Sequence, residues 1–285
     1  MASLPLQRKT LLSTATFSLC LLATLPVKAA WATPSGPPLA TAEHYSKQTF
    51  EPPNRGTPDA PATTGTRLFQ PRREGTPGGP TTSTGTRSGS CLNDPSAVTA
   101  FTGLGPQFEV GLTRATRPEF VWHLPASSQS FPIEFRLLTL DDANRVILVH
   151  SEQLAYAAGF MTYQMPERLP ALEPGRRYYW QVIVTCNPNR PSRSLVSTAQ
   201  FEVISPSAEI TQALTTANTN ADRATIYAND GLWYDALALV VRAETDEEQQ
   251  LRTRLLRDLA YEEANSETGN ATFSDNLTRL ADATD

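Results

Sequence analysis

Three histidines, one acidic turn and a few large aromatics are the side chains in this sequence with chemistry to offer. His44, His123 and His150 stand singly and far apart, whereas a protein metal site gathers several ligands into one coordination sphere. His123 follows Trp122 in an apolar run, the setting of a packing or surface histidine rather than a ligand. Asp141 and Asp142 precede Asn144 in a polar turn; they could graze a calcium ion, but such residues ordinarily bond their own backbone. No H-E-x-x-H, G-x-S-x-G, Walker or G-x-G-x-x-G spacing occurs, and the glycines of TGLGP (Thr102 to Pro106) precede no helix and read as a turn. The side chains therefore nominate no catalytic group, no cofactor site and no metal site.

Aromatics offer the remaining opening. Trp122, Tyr179 and Trp233 would stack on sugar rings if exposed. Trp122 and Trp233 better suit the core or the junction of strands and helices, whereas strand alternation turns Tyr179 alone outward. Trp233 with the adjacent Tyr234 is a candidate protein contact, and Arg87 is a candidate in the segment before Cys91. Tyr179, Trp233, Tyr234 and Arg87 are thus the candidate interaction residues.

Those residues need elements to position them. Arg8 and Lys9 followed by the apolar run Leu11 to Val27, with small-x-small sites ending at Ala29 and Ala32, form the layout of a secretory signal peptide. An uncleaved anchor is the other reading, though the run is short for a membrane span. Cleavage is expected after Ala32 or Ala29 by the general secretory route, giving a periplasmic or extracellular protein that meets the membrane only during export. Its removal takes Cys20 with it and leaves Cys91 and Cys186. An even count in an exported chain reads as a disulfide, worth about 4 to 5 kcal/mol in the chain-entropy account; two separate buried thiols are the alternative.

The chain has 285 residues, a net charge of -5, 40% hydrophobic residues and 23 prolines, which suits a folded part diluted by one that does not fold. Residues 33–90 are rich in Pro, Gly, Thr, Ser and Arg, repeat a GTP…GTR phrase twice, and read as a disordered leader. Residues 91–205 carry six β-rich segments, from Glu119–Leu124 to Thr198–Ile204, separated by turns, the pattern of a β-sandwich. In RYYWQVIVTC, Tyr178, Trp180, Val182, Val184 and Cys186 share the face that should enter the core. Residues 206–262 switch to helical period, three to four helices opening at Ser205-Pro206 and including a Thr245/Glu248 capping box. Residues 263–285 read as a polar flexible tail. From Ser207 onward there are fifteen acidic and six basic residues, either a solvated helix surface or a docking face for a basic partner. The acidic balance and an exported compartment argue against nucleic acid as a partner.

Three resemblances sharpen this outline. Leu172-x-Pro174-Gly175-x-x-Tyr178-x-Trp180-x-Val182 resembles the E–F corner of fibronectin type III domains, which implies an immunoglobulin-like sandwich with a tyrosine bonded to upstream backbone. Gly231-x-Trp233-Tyr234-x-Ala236-Leu237 is similar to the second-helix start of tetratricopeptide repeats, and one such unit must bury its apolar face against something else. GLTRATRPEFVWHLP (Gly111 to Pro125), LEPGRRYYWQVIVTCNPNRPS (Leu172 to Ser192) and DGLWYDAL (Asp230 to Leu237), in that order, resemble an exported cyanobacterial family, domain of unknown function 928. That family brings no activity, cofactor or catalytic residue, and its leaders are richer in Gly and Arg than this Thr-rich, duplicated one.

The resulting expectation is a mainly β protein with an α appendage, acting as a non-catalytic interaction or structural module of the cell envelope. Its partner would be an envelope protein; the alternative is a carbohydrate-binding or hydrolytic envelope accessory.

Overall fold

The computed structural model describes residues 67–72, 75, 77–78, 82–83, 91–92 and 99–284. The signal-like N-terminus, His44, Arg87 and most of the leader lie outside the described residues.

Alternation builds the strands. In IEFRLLTL, Ile133, Phe135, Leu137 and Thr139 are buried while the residues between them are half-buried. This strand, β5 (Ile133–Leu140), belongs to a six-stranded sheet with β1 (Thr82–Ser83), β3 (Gly111–Thr113), β6 (Val146–Leu154), β8 (Arg177–Val184) and β9 (Leu195–Val203). Its antiparallel order is β1-β9-β8-β5-β6, and β3 adds to β9 in parallel. A second, antiparallel sheet has the order β2 (Thr102–Gly103), β4 (Glu119–Leu124), β7 (Gly159–Gln164). Phe120 joins the two: its ring centroid lies 5.2 Å from Phe135, 5.6 Å from Trp180 and 5.2 Å from Phe201.

On β8 the expected inward face is buried at Tyr178, Trp180, Val182 and Val184. The Tyr178 hydroxyl accepts a hydrogen bond from the Glu173 backbone N–H at 3.1 Å, fixing the approach to that strand. Cys91 and Cys186 are joined in a disulfide with Cα atoms 5.3 Å apart.

Five α-helices follow among the described residues, more than the sequence pattern promised. Ser207 accepts from Ile210 N–H at 3.2 Å and caps α1 (Ala208–Leu214), so Pro206 precedes the cap instead of opening the helix. A reciprocal Thr219/Asp222 capping box starts α2 (Asn220–Asn229). At α4 (Asp246–Asn265) the expected box is half made: Thr245 accepts from Glu248 N–H, but the Glu248 carboxylate bonds Glu244 N–H instead. The expected flexible tail is α5 (Ala271–Ala283), capped by Asn270 and burying Phe273, Leu277, Leu280 and Ala281. Those four apolar residues sit at i, i+4, i+7 and i+8, a stripe hidden by the polar residues between them.

The third helix in chain order, α3 (Trp233–Val240), fastens the helices to the sheets. Tyr234 Oη accepts from Trp180 Nε1 at 3.0 Å, and Trp233 Nε1 donates to the Leu104 carbonyl at 2.8 Å. Tyr234 lies so close to β3 that a Cβ on Gly111 would come within 2.7 Å of its ring. A single helix pair has nothing of its own to cover such residues, and the sheets supply the cover.

The leader, expected to be disordered over residues 33–90, is corrected at residues 67–72. Arg67–Arg72 runs across the helices as a strap. Leu68 and Phe69 N–H donate to Asp258 Oδ2 at 2.7 and 2.9 Å, and Gln70 N–H donates to the Ala228 carbonyl at 3.1 Å. Phe69 is buried edge-on to Trp233, with ring centroids 5.1 Å apart. Arg67 pairs with Glu262, and Arg72 with Asp230. Gly231, at φ 75°, lets the strap pass, because a Cβ there would lie 2.9 Å from the Gln70 carbonyl oxygen. Leu68 and Phe69 are only two apolar residues in a polar stretch, too small a signal in composition to show that the segment packs.

One buried carboxylate ties the end of α4 to the loop before β3. Glu263 accepts from Gln107 and Phe108 N–H at 2.6 and 3.2 Å, and from Asn270 N–H at 3.2 Å. Burial outweighs these donors and pushes its pKa up to about 7.

Two outcomes follow for stability. Phe69→Ala should cost about 3 to 5 kcal/mol in urea unfolding, the usual price of emptying a buried phenylalanine site; a merely tethering leader would leave the curve unchanged. The folded chain keeps a proton on Glu263 that an unfolded carboxyl of pKa 4.5 releases, so this group removes stability as pH rises from about 4.5 to about 7. Melting temperatures measured across that window should fall less steeply for Glu263→Gln than for the wild type, and identical slopes would rule the assignment out.

Candidate interaction surface

The long strand β6 is made by its turn and left bare at its edge. Asp141 Oδ1 accepts from Ala143 and Arg145 N–H at 3.0 and 2.8 Å, and Asp141 Oδ2 accepts from Arg145 Nε at 2.7 Å. These donors hold the Asp141 carboxyl below its ordinary pKa. Asn144 takes the left-handed conformation at φ 57° that closes the turn. Asp141 thus spends one oxygen on backbone N–H groups of its own turn and the other on the Arg145 guanidinium, and β6 emerges antiparallel to β5.

Among the described residues β6 pairs only with β5, so its other edge is open. Val146, Ile147, Leu148 and Val149 are 66%, 43%, 54% and 41% exposed, an unbroken aliphatic run. Edge strands usually carry charges, prolines or bulges that discourage pairing; these four positions carry no charge and no proline. The register with β5 skips Val149, a bulge that sets Leu138 opposite Leu148 and Leu137 opposite His150.

Farther along, a polar cluster seals β6 against β7. His150 Nε2 lies 2.6 Å from Tyr163 Oη and 3.2 Å from Glu152 Oε2, and Glu152 also accepts from Tyr163 and Arg168. Burial and the Glu152 charge push the Tyr163 pKa up to about 12, so the phenol stays a donor. The sequence showed His150 only as a lone histidine, since thirteen residues and a crossing from one sheet to the other separate it from Tyr163.

The residues singled out from the sequence sit elsewhere. Trp233 and Tyr234 are 0% and 2% exposed, so they bind the sheets of their own chain and offer no surface to a partner. Trp122 is likewise buried, and His123 is buried edge-on to Phe160, with its pKa lowered by desolvation. Tyr179 points away from the core as alternation requires, yet it is only 8% exposed; the leader passes over that face, where Gly78 N–H donates to Gln200 Oε1 at 2.8 Å. Trp122, Tyr179 and Trp233 are therefore closed to a sugar ring. Arg87 lies outside the described residues. Tyr261 is exposed, but Arg67 stacks on it, with the guanidinium carbon 3.7 Å from the ring centroid. The two line a cleft of about 610 Å³ with Phe108, Glu262 and Thr268. Arg67 and Glu262 pair with each other in it, and Glu109 and Glu267 also line it.

What the surface does expose is the β6 edge, which can do one thing chemically: extend a sheet. Backbone groups along a free edge provide hydrogen bonds, and aliphatic side chains on either face provide burial. A run such as VILV lacks alternation and by itself resembles a strand buried on both faces; only the sheet order places it at a margin.

No curated protein matches the sequence. Among solved structures, a chain described as astrotactin-2, a conserved vertebrate-specific and perforin-like membrane protein involved in neuronal development, is similar at 13% identity. The similarity covers 62% of this chain and 34% of that one at a TM-score of 0.22, too low to carry an argument about fold or function. Among the described residues no helix is long and apolar enough to cross a membrane. Residues 82–267, more than half of the chain and spanning both sheets and α1 to α4, match the family named Domain of Unknown Function (DUF928), and the chain belongs to that family.

Proposed function

We propose that this protein is an exported, non-catalytic binding module of the cell envelope that engages another protein by strand addition at β6. The observation that carries the reading is the open edge with four consecutive exposed aliphatic residues, Val146 to Val149. Export is supported by the signal-like N-terminus and by the Cys91–Cys186 disulfide, a bond characteristic of oxidising compartments. The strand order β2-β4-β7 facing β9-β8-β5-β6, with the Tyr178 hydroxyl bonded to upstream backbone, supports an immunoglobulin- or fibronectin-like sandwich as the platform. The α2–α3 pair supports the tetratricopeptide-like description, with the sheets in the place of a neighbouring repeat.

The lysines are Lys9, Lys28 and Lys47, so amine-reactive reagents are blind to the sheets and helices. A photo-reactive side chain placed at Leu148 in the native envelope is the suitable probe. It should yield adducts between this chain and a protein, which disappear when Val146 is also changed to Lys. No adduct from Leu148, or adducts indifferent to that lysine, would overturn strand addition. Export has its own check: N-terminal sequencing of the mature protein should begin at Thr33 or Ala30, and an intact Met1 would refute cleavage.

A further inference from the structure

The charges flanking the β6 edge say which partner fits it. The strand runs from Arg145 through four aliphatic residues to Glu152, positive at one end and negative at the other. An antiparallel strand with the same polarity would set a positive end against a negative end twice. A second copy of this chain supplies that strand.

Symmetry tests the match further. Two identical antiparallel edges are related by a two-fold axis normal to the sheet, so residues facing each other must lie on the same face. Arg145 and Glu152 are seven apart, and in a regular strand an odd spacing puts them on opposite faces. Here the bulge intervenes. Pairing with β5 sets Ile147, His150 and Glu152 opposite the buried-face residues Thr139, Leu137 and Phe135. Val146, Leu148 and Ser151 lie opposite Leu140, Leu138 and Arg136 on the outer face, and Val149 is the extra residue. The Asp141 N–H bond to the Arg145 carbonyl continues the ladder by one pair, so Arg145 shares the face of Ile147 and Glu152. One register then satisfies every pair: Arg145 opposite the second copy's Glu152, Val146 opposite its Ser151, Ile147 opposite its His150. The axis falls between Leu148 and Val149, centring the exposed aliphatic run on the dyad.

We propose that β6 pairs with β6 of a second copy in this register, forming a two-fold dimer with one continuous sheet and two Arg145–Glu152 cross-strand ion pairs. This deepens the strand-addition reading and rests on it. Both side chains reach solvent, Arg145 at 78% and Glu152 at 36% exposed, and each already has an ion-pair partner, Asp141 and Arg168, that the cross-strand pair would share. An eight-residue edge buries less than the roughly 1,200 Å² of a standard stable interface, so the dimer is concentration-dependent.

Sedimentation velocity on the oxidised, purified chain from about 10 µM to about 1 mM tests this in the micromolar range of weak complexes. The average mass should rise from one chain toward two. Leu148→Lys, at an exposed site that leaves folding intact, should keep the chain monomeric throughout. Arg145→Glu and Glu152→Arg should each weaken association about tenfold or more, about 1.4 kcal/mol, and the double reversal should restore it; melting curves confirm that each variant is folded. A chain that is monomeric at every concentration, or a double reversal as weak as its single parents, would overturn the dimer. If Leu148 meanwhile crosslinks to a different protein, strand addition survives and only the choice of a second copy falls.

Discussion

Everything beyond the two sheets depends on one buried contact, the Trp180 indole donating to the Tyr234 hydroxyl. Trp180 lies on the inward face of β8 and Tyr234 on the first turn of α3, and both are shut off from water. A phenol and an indole buried without partners would each cost about 1 to 3 kcal/mol. Meeting one another, each has a partner, and the contact defines how α3 lies on the sheets. Gly111 in β3 then has to be glycine, because a side chain there would occupy the space of the Tyr234 ring. The helices do not stack on the sheets as a separate body; a core continuous from Phe120 through Trp180 to Trp233 and Leu259 joins them.

The strap and the disulfide extend the same logic to the start of the folded part. Phe69 completes the enclosure of Trp233, while Asp258 gathers the backbone N–H groups that Leu68 and Phe69 would otherwise leave unpaired. Arg67 ends the first GTR phrase, so that phrase marks where the leader meets α4. Cys91 then pins the chain again beside β8 through Cys186. The N-terminal side of the domain is thus held on the helices by the strap and on the sheet by Gly78, β1 and the disulfide.

Against this enclosure β6 is the exception. Elsewhere the apolar side chains of the long strands find cover from the facing sheet, the helices or the leader. At β6 the polar cluster of His150, Glu152, Tyr163 and Arg168 closes the gap toward β7, and the aliphatic run beyond it is left in water. Exposed contiguous apolar surface at an open edge is the ordinary mark of an interaction site or an aggregation liability. The bulge at Val149 decides which charges share a face, and so which partner strand is compatible.

Local physics made much of the protein legible in its residues. Alternation in IEFRLLTL and RYYWQVIVTC located two strands, the second ending at Val184 before its last two residues, and assigned their inward faces, because side chains in a strand alternate whatever the fold. The even pair Cys91 and Cys186, the helical period after Ser205 and the family motifs were legible for the same reason: each is written in neighbouring or regularly spaced residues. Pairings across long separations decided the rest. Phe69 meets Trp233, Glu263 meets Gln107, and Tyr234 turns from a candidate surface residue into the pivot of the core. The same applies to VILV: its composition determines that it is a strand with apolar side chains, but only the sheet order determines that no neighbour covers its edge. Burial belongs to a residue's surroundings, and those exist only once the chain has folded.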